Sequence, residues 1–267
     1  MSLPHFYLDE QVIADEQEEV FSLRLSEDDL KHARVLRLHA GEHIALVDAQ
    51  QDYFECEIIA FDEDLPSVRI ACAIDEVSTT PSLMLFQGLA KGDKMDAILR
   101  QATEVGITSF TPLVTKRCVV KLDGKKQLSK MKRWNSIAKS AAMQSGRRVR
   151  PEVCEPLTLA EASRSLSRAT ALLVCWEETS VSNRVLDALK SVLGDRLSFS
   201  SDDTIALVVG PEGGLSSSEV DELLACNENA SLVSLGPSIL RTETAGVVAS
   251  ALVLYELRAL SDSSCRG

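Results

Sequence analysis

Two glycine-rich turns in the last quarter of the chain hold the residue types best suited to chemistry. The first reads Ala206-Leu-Val-Val-Gly-Pro-Glu-Gly-Gly-Leu215, followed by Ser216-Ser-Ser-Glu-Val220. An apolar strand runs into a loop carrying Gly210, Pro211, Glu212, Gly213 and Gly214, and then into a helix start. Ser216 or Ser217 can cap that helix, with Glu219 near the capping-box position. Glycines let backbone amides approach a ligand closely because no Cβ intervenes. The loop is neither a dinucleotide fingerprint nor a P-loop, and the acidic Glu212 would repel phosphate. Turn chemistry alone accounts for it equally well as a tight structural turn. The second turn reads Ser234-Leu-Gly-Pro-Ser-Ile-Leu-Arg-Thr-Glu-Thr-Ala245. A short strand enters a Gly-Pro turn and a long apolar helix follows, with Thr242 as a plausible N-cap. Glu243 falls in the first turn, where the helix dipole favours negative charge. Capping and an Arg241–Glu243 ion pair would explain both residues. An Arg and a Glu at the mouth of a sheet, beside a second glycine loop, also suit a reactive pocket.

The elements that must position these loops alternate from Leu83 onward. Strands are expected at Leu83–Leu89, Ser109–Val114, Ala171–Trp176, Ile205–Val209 and Leu232–Leu235. Helices are expected at Asp93–Val105, Lys130–Gln144, Ser182–Leu193, Ser217–Ala225 and Thr242–Leu260. Such alternation indicates an α/β fold with a mainly parallel sheet, whose ligand sites lie beyond the carboxyl ends of its strands. The first 75 or so residues read differently. Glu42–Asp48, Tyr53–Phe61 and Ser67–Ile74 are strand-like, Ser26 opens a short helix, and Asp75–Glu76 with Ser78-Thr79-Thr80-Pro81 marks a linker.

Composition removes several function classes. The 45% hydrophobic and 25% charged content is ordinary for a soluble globular protein. The apolar runs Ile205–Val209 and Val247–Leu254 stop short of the roughly 20 residues a membrane span needs. Met1–Asp9 has neither a secretory nor a transit pattern, so a cytoplasmic location and no membrane partner are expected. Seven scattered cysteines without a Cys-x-x-Cys pair argue against a disulfide framework and a metal site. All four histidines lie within the first 43 residues, excluding a triad built on a C-terminal histidine. The net charge of −12 hides a strong partition: residues 1–80 carry −14, residues 81–150 carry +11 and residues 151–267 carry −9. Polyanion affinity depends on local phosphate neutralisation, so a basic face can coexist with an acidic total. A solvated helix face is the plainer account of such a run.

Taken together, the two loops resemble those of the RsmE family of SPOUT methyltransferases, and the likeness extends along the chain. Lys91-Gly-Asp-Lys-Met-Asp-Ala-Ile-Leu-Arg-Gln-Ala-Thr-Glu-Val-Gly106, Phe110-Thr-Pro112, Thr115-Lys-Arg117 and Trp134 through Ala142-Met-Gln-Ser-Gly-Arg147 resemble further family motifs. His32-Ala-Arg-Val-Leu-Arg-Leu38, with Gly41, resembles the N-terminal domain. Cys118 and Leu215 depart from the commoner serine and aromatic. The resemblance implies a PUA-like, RNA-binding β-barrel over 1–76 and a SPOUT α/β methyltransferase domain over 81–267, knotted as a trefoil. It implies a homodimer, S-adenosyl-L-methionine (SAM) as donor, no metal, and methylation of uridine N3 in small-subunit (16S) ribosomal RNA, naked or within the small ribosomal subunit. Carried over by motif, Gly210–Gly214, Leu235 and Gly236 would hold SAM, and Ile239, Leu240, Thr244 and Ala245 would complete the pocket.

Uridine N3 is a weakly acidic imide, so its proton must leave before the lone pair can attack. Arg241 near the uracil carbonyls would stabilise the growing charge. Glu243 is the nearest candidate base, with capping as its competing role. Arg34, Arg37, Lys91, Lys94, Lys116, Arg117, Arg147 and Arg148 are the candidate phosphate contacts, which position RNA without reading sequence. Another RNA site or a ribose 2′-hydroxyl as acceptor, and an RNA-binding assembly factor without catalysis, stand as alternatives. An NAD oxidoreductase is remote, because the fingerprint is missing.

Overall fold

The computed structural model describes residues 3–62, 65–73 and 80–264, so most of the expected linker lies outside the described residues. The chain forms two compact units, residues 1–77 with 139–150, and residues 78–138 with 151–267. The sequence suggested a single break before Pro81; the segment 139–150 instead belongs with the N-terminal residues.

The first unit contains β1 (His5–Tyr7), β2 (Val20–Ser22), α1 (Glu27–Val35), β3 (His43–Val47), β4 (Tyr53–Asp62) and β5 (Leu65–Ala73). They make a five-stranded sheet in the order β1-β3-β4-β5-β2, with β1 and β3 parallel and the other neighbours antiparallel. Along β4, Phe54, Cys56 and Ile58 are buried and alternate with partly exposed Tyr53, Glu55 and Glu57, the period-2 signature of a strand with one dry face. They join Phe6, Leu23, Ile44, Leu46 and Val68 in one core. Ser26 caps α1 by accepting the Asp29 N–H at 3.2 Å. Segment 139–150 is tied in by polar contacts. Lys139 Nζ lies 2.7 Å from Asp29 and 3.2 Å from Asp9, and the Tyr7 hydroxyl donates to the Arg147 carbonyl at 2.5 Å.

The second unit contains β6 (Ser82–Gly88), α2 (Lys94–Val105), β7 (Ser109–Val114), the first part of α3 (Gly124–Gln144), β8 (Glu152–Val153), β9 (Leu157–Thr158) and α4 (Leu159–Leu166). It continues with β10 (Ala171–Cys175), α5 (Val185–Leu193), β11 (Thr204–Val209), α6 (Ser217–Cys226), β12 (Ala230–Val233) and α7 (Thr242–Ser264). The sheet is parallel throughout, in the order β12-β10-β11-β6-β7-β8, with β9 also on β7. Its strands are apolar on both faces because both are covered. Leu83, Leu85, Leu173 and Leu207 face one cluster with residues of α2, α5 and α7, while Phe86, Leu172 and Val208 face another with residues of α4 and α6.

On α2, Met95, Ile98, Leu99 and Ala102 make one buried stripe at helical spacing. Burying each of the larger side chains is worth about 1.5–3 kcal/mol. Asp96, also buried, accepts from Trp134 Nε1 at 2.9 Å and Arg133 Nε at 2.7 Å, so neither the indole N–H nor the carboxylate is left unpaired. By length and composition, Thr242–Ser261 of α7 could cross a membrane. This stretch extends the apolar run Val247–Leu254 at both ends, with Glu243, Glu256 and Arg258 in the extensions. In the fold, Ala249, Val253 and Leu257 of this helix are buried in the core.

Strand order changes sense between the parallel neighbours β6 and β11: β7 and β8 lie beyond β6 on one side, and β10 and β12 beyond β11 on the other. In open parallel sheets the crevice at such a reversal, outside the carboxyl ends of the strands, is where ligands bind.

Candidate active site

Three loops leave the carboxyl ends of adjacent strands β11, β10 and β12 and enclose a cavity of about 540 Å³. The loop after β11 contributes Gly210, Pro211, Glu212 and Gly214; the segment after β12 contributes Leu235, Gly236, Ile239, Leu240 and Arg241, with Ala245 from α7. Lys94 reaches the same wall from α2. Gly213, Thr244 and Glu243 are not part of the lining. Gly213 faces Arg117, whose Cβ would lie 3.0 Å from an added methyl and whose Nη1 donates to the Gly213 carbonyl at 2.9 Å. Gly236 has φ of +117°, a conformation glycine adopts without penalty.

The two glycine loops are held together from beneath by groups the sequence reading passed over. Gln87 at the end of β6 is fully buried, and its Nε2 donates to Thr242 Oγ1 at 2.9 Å. The Thr242 hydroxyl in turn donates to the Gly210 carbonyl at 2.7 Å. Thr242 is therefore a bridge and not the N-cap; the Arg241 carbonyl accepts the Thr244 and Ala245 N–H groups at 2.9 and 2.8 Å. Next to Gln87, a Cβ on Gly88 would overlap the Pro211 nitrogen and come 2.5 Å from its Cδ. The signal for this clamp was one amide followed by glycine at the end of the apolar strand Ser82–Gly88.

Glu219 behaves as the capping pattern predicts and does more. Its carboxylate accepts the Ser216 N–H at 2.9 Å and the Ser216 hydroxyl at 2.7 Å, and it also accepts the Lys116 N–H at 2.6 Å. Burial pushes this carboxyl up, but these hydrogen bonds and the Lys116 charge outweigh it and hold it below the usual range.

Glu212 and Glu243 converge on one cation. Lys94 Nζ lies 3.1 Å from Glu212 and 3.2 Å from Glu243, and the Lys91 N–H donates to Glu212 at 3.0 Å. The salt bridge to Glu243 comes from Lys94, where an Arg241–Glu243 ion pair was one of the two readings the sequence left open. The Glu243 carboxyl is held low by its own backbone N–H, aided by Lys94 and Arg241 against some desolvation. Burial raises the Glu212 carboxyl, but the Lys91 N–H and Lys94 bring it below its ordinary value. Lys94 is raised by the two carboxylates beside it, Glu212 and Glu243, and its contact with Glu243 is an ion pair, Glu243 Oε2 having no hydrogen-bond partner among the described residues.

The third loop went unread in the sequence. Trp176 and Thr179 line the cavity, and the Trp176 Nε1 and Thr179 Oγ1 atoms are buried without a hydrogen-bond partner among the described residues. Cys175 lines it too, but burial pushes its thiol up to about 12, which removes the thiolate a nucleophile requires.

The candidate RNA contacts separate into three settings. Lys116 and Arg117 are exposed beside the glycine loop, with the neutral partners Ser218 Oγ (2.7 Å) and the Gly213 carbonyl; Lys91 is exposed nearby. Arg34 and Arg37 are exposed on the first unit. Arg147 and Arg148 are half-buried there, Arg148 lying 4.5 Å over the Tyr53 ring, so the basic stretch 81–150 is divided between the two units. Among the described residues, no group of His, Cys, Asp or Glu is arranged to hold a metal ion.

A family model described as an RNA methyltransferase domain matches residues 78–254. The ribosomal RNA small subunit methyltransferase E of Bacillus subtilis is 32% identical over 247 residues, covering 91% of this chain and 93% of that protein. A chain from Legionella pneumophila, described as a methyltransferase and solved in complex with bound SAM, superposes with a TM-score of 0.77 at 27% identity, covering 96% of this chain and 98% of that one. The small subunit methyltransferase E of Neisseria gonorrhoeae, solved bound to SAM, superposes at 0.71 with 26% identity, over 93% and 95% of the two chains. With a domain match across most of its length and an alignable relative nearly from end to end, this chain belongs to the RNA methyltransferase family of ribosomal RNA small subunit methyltransferase E.

Proposed function

We propose that the chain transfers the methyl group of SAM to N3 of a uridine in small-subunit ribosomal RNA. The observation that carries this reading is the cavity at the carboxyl ends of β10, β11 and β12, with Arg241 at its wall and both glycine loops around it. Its 540 Å³ suits a ligand of nucleoside size, within the usual few hundred to a thousand Å³ of small-molecule sites. The unpaired Trp176 N–H and Thr179 hydroxyl beside an apolar wall fit a ligand that is part heterocycle and part polar. SAM, when bound, supplies an electrophilic methyl on sulfur. Gly210, Gly214, Leu235 and Gly236 would hold it, and uracil N3, its proton given to solvent, would accept the methyl with the thioether as leaving group.

What the chain's own residues do is position and stabilise. Glu243 takes its salt bridge from Lys94, and Arg241, whose charge also helps hold Glu243 low, lines the cavity and can face the uracil oxygens, where a fixed positive charge counts most in a dry site. Glu243, held ionised, is a poor proton acceptor for an imide, and its part is to anchor Lys94. The target uridine must leave its stack to reach the cavity. Lys116, Arg117 and Lys91, exposed near the glycine loop, are placed to meet phosphates on the way in.

The same reading takes the five-stranded unit as a PUA-like RNA-binding barrel and residues 81–267 as a SPOUT domain knotted through the loops of the cavity. It takes the active species as a cytoplasmic homodimer. Titration calorimetry with SAM, followed by nucleoside mass spectrometry of ribosomal RNA treated with the protein, tests the proposal. One SAM site per chain and N3-methyluridine are expected. A 2′-O-methyl product would move the acceptor to ribose, and absence of SAM binding would overturn the reading.

A further inference from the structure

Lys94 occupies a position that a phosphate contact would not take. Its ammonium lies within salt-bridge distance of two carboxylates from separate segments, Glu212 of the loop after β11 and Glu243 at the start of α7. Lys116 and Arg117, by contrast, stand exposed with their side chains hydrogen-bonded to a hydroxyl and a carbonyl, although Glu219 also feels the Lys116 charge. A cation between two anions has its field cancelled locally, whereas one bonded to neutral acceptors does not. We propose that Lys94 is a positioning residue of the transfer site, fastening the first glycine loop to the start of α7 through Glu212 and Glu243, and that it does not grip RNA. This rests on the reading of the cavity as the methyl-transfer site.

Three features support the assignment. Glu212 is set for Lys94 by a second bond from the Lys91 N–H, so loop and cation are oriented from the same turn before α2. Glu243 follows Arg241 by two residues, so whatever fixes Glu243 also fixes the backbone that carries Arg241 into the cavity wall. The buried bridge Gln87–Thr242–Gly210 joins the same two segments from below, leaving Lys94 as the fastening at the cavity wall. The charged groups around this point are Glu212, Glu243 and Arg241, with Glu177 lining the same cavity from the loop after β10. Removing the Lys94 ammonium leaves Glu212 and Glu243 facing each other, and like charges at that range raise the pH at which one of them takes up a proton. Both carboxyls are held low in the intact protein, so SAM binding should persist to low pH. Without Lys94 the acid limb should move to higher pH.

The test compares Lys94→Met, Lys94→Arg and the double variant Lys116→Ala/Arg117→Ala in the full chain. Binding of a short single-stranded uridine-rich RNA is measured across a salt series, and SAM affinity by calorimetry against pH. Lys94→Met should leave the salt slope unchanged, weaken SAM by about tenfold and move the acid limb upward. Lys94→Arg should restore both SAM affinity and the limb. The double variant should flatten the slope by about 0.7 per lost phosphate contact. A flattened slope in Lys94→Met would overturn the proposal, as would unchanged SAM affinity with an unchanged acid limb. If Lys94→Met melts early, Lys94→Arg decides: a guanidinium that keeps the fold but alters the salt slope also contradicts it. Failure of the intact protein to bind SAM would sink the functional reading instead, while the salt series would still judge whether Lys94 grips RNA.

Discussion

A guanidinium at the wall of a cavity can act on a ligand, on a neighbouring carboxylate, or on both. Because Glu243 forms its salt bridge with Lys94, the ion pair that would have explained Arg241 by itself is not what holds Glu243, although the Arg241 charge still helps keep that carboxyl low. If it stabilises charge growing on uracil as N3 loses its proton, Arg241→Ala should lower kcat and kcat/KM together, by about 10²- to 10³-fold. SAM affinity and melting temperature should change little. Lysine should recover only part of the activity, since it keeps the charge without the planar fork. Single-turnover methylation at saturating SAM and RNA, run beside a melting curve, makes the comparison. Near-normal turnover in folded Arg241→Ala would remove the residue from the chemistry. At this scale the sequence pointed to most of the two glycine loops that line the cavity, but not to Trp176 and Thr179 of the third loop, nor to the pairings. Arg241 and Glu243 are two apart, which favours reading them as partners, whereas Lys94 is 149 positions from Glu243 and no local rule links them.

The strands and helices of the second unit were legible where apolar periodicity is strong. Ser109–Val114 matches β7 residue for residue, and the helices at α2, α6 and α7 begin within a residue of expectation. What was missed is short or broken. β1 and β2 are three residues each, and β8 and β9 two, below the length at which alternation can be read. Helix α4 was overlooked although Thr158 and Glu161 form its capping box, a signal that was present in the sequence. Close approach between elements is equally invisible in one dimension. The end of β6 touches the first glycine loop so tightly that Gly88→Ala must force the Pro211 backbone away. Overpacking of this kind costs about 1–3 kcal/mol. A lower melting temperature and weakened SAM binding are expected for Gly88→Ala, with Gly124→Ala as a control, since nothing lies within 4 Å of its added methyl. Equal behaviour of the two variants in thermal melts and calorimetry would show that the approach has room to relax. The same crowding accounts for Gly246 inside α7, where a Cβ would fall 2.5 Å from Gln87 Oε1.

At the scale of the whole molecule, charge was legible in amount but not in placement. The +11 stretch from 81 to 150 reads as a single basic face, yet 139–150 belongs to the first unit and its Lys139, Arg148 and Arg150 are spent on Asp29, Tyr53 and Asp9. Of the rest, Lys94 is held between carboxylates, so fewer cations than the sequence counts are open to a polyanion. The two tryptophans of the chain were likewise unremarkable as letters, and the fold gives them different surroundings. Trp134 is sealed in the core with its N–H on Asp96, whereas Trp176 stands in the cavity wall with its N–H unpaired. The protein therefore carries its own optical probe of occupancy. Titrating SAM should change the indole emission of the intact chain, and Trp176→Phe should abolish that change while leaving the steady signal of Trp134. Emission that still responds in Trp176→Phe would place the ligand elsewhere, and a silent intact chain would mean that the indole beside the cavity does not feel what enters it.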